Sequence, residues 1–105
     1  MDKDYIYLEE MYRESYFPNH LVDKVKEEIL KVVAFIEEGK HSNDEIQEKL
    51  DIMTDAINDL QEAFEDADSE IETVARDSIG TTVMDILEHY KIDIDGEEAI
   101  RNRDW

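Results

Sequence analysis

Apolar residues recur along this chain at intervals of three and four, the spacing that places side chains on one face of an α-helix. The first such run, Lys3 to Glu14, spaces Tyr5, Leu8 and Met11 with Tyr12 and predicts a short helix. Pro18 ends it, because the residue before a proline is pushed out of the helical region. Asn19 then stands where an N-cap would open a second helix reaching Glu38. Its core face is Val22, Val25, Ile29, Val32, Val33 and Ile36, and Gly39 supplies a left-handed stop.

Ser42 and Glu45 form a Ser-x-x-Glu capping box, the strongest start signal in the chain. In the helix it opens, at 100° per residue, Ile46, Leu50, Met53, Ile57, Leu60 and Phe64 fall within an arc of about 80°. Asp44, Glu48, Asp51, Asp55, Asp59, Glu62 and Asp66 fall in a similar arc on the opposite side. A second Ser-x-x-Glu, Ser69 with Glu72, predicts a restart after Ala67 and Asp68. The fourth helix would bury Ile71, Val74, Ala75, Ile79, Val83, Ile86 and Tyr90. Gly80 inside it costs about 1 kcal/mol against alanine, so it is expected to mark a close helix–helix contact. Asp95 and Gly96 read as a last turn, with a short helix from Glu97 to Asn102 before Trp105. The expectation is an all-α fold, one domain over residues 1–105. It is a small antiparallel bundle of three main helices with short flanking helices at both ends.

Composition changes this picture mainly through charge. A chain of 105 residues has room for one core, and 41 % hydrophobic content can fill it. A charged fraction of 39 % could mean disorder, but disordered chains lack the periodic apolar spacing seen here. Asp and Glu number 30 against 11 Lys and Arg, a formal net charge of -19. Such a surface repels nucleic acid and anionic lipid and attracts basic protein, so a basic protein is the expected partner. The absence of cysteine excludes disulfides, thiolate metal sites and a cysteine nucleophile. No stretch nears the roughly 18 apolar residues of a membrane span, and Met1 to Glu10 lacks a signal-like apolar run. A cytoplasmic location is therefore expected.

The charge is concentrated. Between Ser42 and Ala75, twelve acidic residues stand against Lys49 alone, a local balance of -11. Like charges four residues apart cost a helix a few tenths of a kcal/mol per pair. The stripe is either a plain solvated face or a surface shaped for the Arg and Lys of a partner. On the second reading the partner-binding residues are Asp44, Glu48, Asp51, Asp55, Asp59, Glu62 and Asp66.

Other chemistry finds less support. Glu38 with His41 and Asp85 with His89 have sterically possible ligand spacings, yet the first pair straddles the Gly39 stop. His89 lies in a last helical turn, where a cation suits the helix dipole. Asp93, Asp95 and Gly96 fail the calcium-loop pattern, whose glycine would fall at Glu98. All-helical pyrophosphohydrolases hold Mg2+ on inward carboxylate pairs. Here Glu62 with Glu65 and Asp59 with Glu62 point outward, and no basic cluster lies near them. No Ser-His-Asp arrangement or Gly-rich phosphate loop occurs. No enzyme activity, metal or cofactor is expected. Tyr5, Tyr7, Tyr12, Tyr16 and Phe17 are expected to plug one end of the bundle, with any exposed tyrosine a possible interface anchor.

The run Asn58-Asp59-Leu60-Gln61-Glu62, then Phe64-Glu65, Asp68 through Asp77 and Ile79-Gly80, carries a family resemblance. So do Met11-Tyr12, Ser15-Tyr16-Phe17-Pro18 and Leu21-Val22-Asp23-Lys24. Together, over nearly the whole chain, they resemble a family of small acidic all-helical bacterial proteins with no assigned biochemical function. In character only, the chain is similar to immunity proteins of contact-dependent growth inhibition toxin systems, which are small, acidic and poor in cysteine. That likeness implies a protein that neutralises a basic, RNA-cleaving toxin by charge-complementary binding. Two rivals remain: a metal-dependent helical nucleotide hydrolase and an acidic adaptor for another basic protein.

Overall fold

Caps and left-handed residues set the limits of the helices in the computed structural model, which describes residues 1–105. Five helices result: α1 (Glu9–Arg13), α2 (Asn19–Glu37), α3 (Asn43–Asp66), α4 (Thr73–His89) and α5 (Gly96–Ala99). The fold is all-helical, with three long helices between two short ones, as the apolar periodicity predicts.

The α3 start is the one expected. Ser42 Oγ accepts from the Glu45 amide at 3.1 Å while Glu45 Oε1 accepts from the Ser42 amide at 2.8 Å. Gly39, at φ 82°, ends α2. Several other boundaries differ. The first helix is five residues rather than twelve, because Leu8 takes a left-handed φ of 54° at its N-cap. Leu8 is fully buried there, and its amide donates to Thr82 Oγ1, so tertiary contacts hold a conformation that β-carbon sterics disfavour. Asn19 is not a cap. Pro18 occupies that position and Asn19 is the first residue of α2. Ser69 and Glu72 make no capping box, and α4 begins at Thr73 with no side-chain cap. Instead Ser69 completes the end of α3. With Asp68 left-handed at φ 60°, the Ser69 amide donates to Phe64 O and the Asp68 amide to Glu65 O, a Schellman motif. Lys91 and Ile92 end α4 in the same way, on Glu88 O and Leu87 O.

The short loop between α2 and α3 returns the chain antiparallel. Phe35, near the end of α2, stacks on His41 at 3.7 Å, and Phe17, ahead of α2, meets Phe64 near the end of α3 at 6.5 Å. α1 packs on α4, and α5 bridges α3 and α4. One apolar cluster joins all five helices. Every predicted core position of α3 is buried except Leu60, which is half-buried. In α4 Val74 is exposed and Tyr90 half-buried, while Leu87 joins the core. Gly80 has nothing within 4 Å of an added Cβ, so it is not the close helix contact expected of it. No helix is long and apolar enough to cross a membrane.

Candidate functional site: the carboxylate face of α3

The three sides of α3 have different chemistry, and their order follows from 100° per residue. The core side faces α2. A polar side, centred on Asn43, Gln47, Asn58 and Gln61, receives the C-terminal segment. The carboxylate side lies between that segment and open solvent.

The polar side was not anticipated from sequence. Asn43 Nδ2 donates to Asp93 O at 3.2 Å, Gln47 Nε2 to Glu98 O at 3.0 Å, and Asn58 Nδ2 to Asn102 O at 2.9 Å. Asn58 Oδ1 accepts from the Asp104 amide, and Gln61 Nε2 donates to the Asp104 carboxylate. These side chains tie backbone groups of the C-terminal segment, on both sides of the short α5 and within it, to α3. The signal was present as uncharged amides at positions 43, 47, 58 and 61, spaced for one helix face. Trp105 closes the segment, 8 % exposed, with the Arg103 guanidinium 5.9 Å from its ring centre.

The seven stripe residues divide on this geometry. Asp44, Glu48, Asp55, Asp59, Glu62 and Asp66 are all exposed. No Lys, Arg or His nitrogen lies within ion-pair distance of any of them. Asp51 differs. It sits at the edge of the stripe nearest the tail, half-buried, and Arg101 grips both of its oxygens at 3.1 and 2.7 Å. Gln47 donates to the same carboxylate at 3.0 Å. Arg101 first, and Gln47 after it, hold the Asp51 carboxyl below its ordinary value, against the opposing effect of burial. Asp51 therefore serves the fold and departs from the row of free carboxylates to which its spacing assigned it.

Of the six that remain only Asp44, in the first turn of α3, is favoured by the helix dipole. The last turn of α3 holds no base, and Glu62, Glu65 and Asp66 stand at the negative end of the helix dipole. Over the whole molecule, 6246 Å2 of surface shared among 19 net charges leaves about 330 Å2 for each. The face can attract and orient cationic groups. Held apart along an exposed helix, its carboxylates do not form a concave, desolvated site for acid–base work.

No three His, Asp or Glu side chains converge closely enough to hold a metal ion. His41 Nε2 lies 3.2 Å from Glu38 and the ring is stacked on Phe35, so it serves the α2–α3 corner. The N-terminal aromatics mostly pack. Tyr5 donates to Asp85 at 2.7 Å, and burial together with that bond pushes its hydroxyl up to about 12. Tyr12 donates to Asp23, and Phe17 is buried. Tyr16 is the exposed one, at 43 %.

No curated protein and no solved structure matches the chain. The carboxylate face, the strapped polar side and the core they share all lie in a sequence that matches one family description from residue 1 to residue 105, and the chain belongs to that family, DUF5713, a family of unknown function.

Proposed function

We propose that the chain is a binding protein without catalytic activity, an immunity-type inhibitor that acts in the cytoplasm on a basic, RNA-cleaving bacterial toxin. The observation that supports this is the row of six exposed carboxylates on α3 with no internal cation. Repulsion along the row and at the helix C-terminus works against folding, whereas an ordinary solvated face interleaves lysine. A cleft that holds RNA phosphates is necessarily cationic, and a stiff anionic helix about 36 Å long can occupy it. The mechanism is steric occlusion, with charge complementarity setting encounter rate and orientation.

The rival hydrolase would use the same carboxylates. Glu62 and Glu65 both face solvent without a neighbouring Lys or Arg to hold a phosphate, which leaves that reading without a supporting contact. The test is protection. The basic protein encoded beside this chain's gene should cleave RNA alone and stop when the chain is added. Cleavage should return when the added chain carries Asp55→Asn, Asp59→Asn and Glu62→Gln. Cleavage that persists at saturating parent chain overturns the reading.

A further inference from the structure

Away from the tail, the carboxylate face borders an apolar groove. Val32, Ala34 and Phe35 of α2 and Ile52 and Met53 of α3 line a half-open cavity of about 360 Å3. Ile52 is 58 % exposed at its edge, an apolar side chain outside the core arc. At 100° and 1.5 Å per residue, Glu48, Asp55 and Asp59 all lie within about 60° of Ile52 around the helix. Glu48 precedes it by about 6 Å along the axis, and Asp55 follows by about 4.5 Å. The other charged residues lining the groove balance, Glu28, Lys31 and Glu38 on the α2 side against Lys49 on α3. Lys49 Nζ stands 5.1 Å from the Phe35 ring centre, and Lys31 pairs with Glu28 at 2.9 Å.

We propose that the basic partner places one apolar side chain in this groove, against Ile52, Phe35 and Met53, while Arg or Lys on one side of that residue engages Glu48, Asp55 and Asp59. This rests on the reading of α3 as the partner surface and specifies the partner's chemistry: an apolar anchor with cations beside it. Charge speeds encounter, whereas a buried apolar anchor lengthens residence, and each supplies what the other cannot. The chain already displays the pattern on the other side of α3. Ile100 is buried in the core while the adjacent Arg101 grips Asp51.

Two synthetic peptides of about twelve residues test it, equal in arginine content, one carrying leucine at i and i+4 and the other serine there. Their affinities are measured by calorimetry for the parent, for Ile52→Ser and for Asp55→Asn with Asp59→Asn. The leucine peptide should bind the parent about tenfold more tightly at physiological salt. Ile52→Ser, at an exposed position, should erase that advantage and leave the serine peptide unaffected. The double carboxylate variant should weaken both peptides. Equal binding of the two peptides by the parent, or a leucine advantage that survives Ile52→Ser, overturns the anchor and leaves the charge reading standing. Binding of neither peptide, or binding indifferent to Asp55→Asn with Asp59→Asn, overturns the reading of α3 itself.

Discussion

Arg101 closes a fork on Asp51, with Nε donating to Oδ1 at 3.1 Å and Nη2 to Oδ2 at 2.7 Å. The fork fastens the C-terminal segment to α3 and divides the acidic residues of that helix into two kinds. Asp51→Asn should destabilise the protein by about 1 kcal/mol, a value reduced by the exposure of the guanidinium. Asp55→Asn with Asp59→Asn should leave stability unchanged or raise it, since only repulsion is removed. Urea unfolding of the two variants measures the difference in sign.

Acid should release the same fork. The Asp51 carboxyl is held low by Arg101, so its contribution is complete above the ordinary aspartate range and lost as pH falls through that range to the depressed value. Glu45, held low by the Ser42 amide, acts in the same direction. Trp105 is the only tryptophan and is buried in the strapped tail, so its emission reports undocking. A red shift on acidification should come at higher pH in Arg101→Ala than in the parent.

Serines at the two Ser-x-x-Glu sites should respond differently. Ser42→Ala removes a formed cap and should cost about 1 kcal/mol. Ser69 is 1 % exposed with its Oγ unpartnered, so Ser69→Ala should be neutral or stabilising. Thermal unfolding of both checks the assignment.

Gly80→Ala should raise stability by about 1 kcal/mol, because the helix gains a better former and the new Cβ meets nothing. A loss would mean that α4 approaches a neighbour at that point.

These contrasts show what was legible in the sequence. Several local signals agree with the structure: the Ser42–Glu45 box, the Gly39 stop and the core face of α3, apart from half-buried Leu60, need only their own helix. The Ser69–Glu72 signal failed because a stronger local device, the left-handed Asp68, had already claimed Ser69 for the end of α3. The short α1 depends on Leu8 reaching Thr82, 74 residues away, which no local pattern encodes. Asp51 likewise looked like its neighbours on the helix. Only the return of Arg101 across 50 residues separates it from Asp55. Six of the seven candidate residues keep the exposure their spacing predicts, and the seventh was reassigned by a contact made in three dimensions.

The central claim is that the α3 carboxylates attract a basic protein, and the association rate with the basic protein encoded beside this chain's gene, followed over ionic strength, tests it most directly. For the parent, the rate should fall by about tenfold or more between low and several-fold higher salt, while dissociation changes less. Asp55→Asn with Asp59→Asn and Glu62→Gln should associate slowly at every salt concentration, with a shallower dependence. Equal rates and equal salt slopes for the two proteins would contradict the account and leave the face as solvated surface.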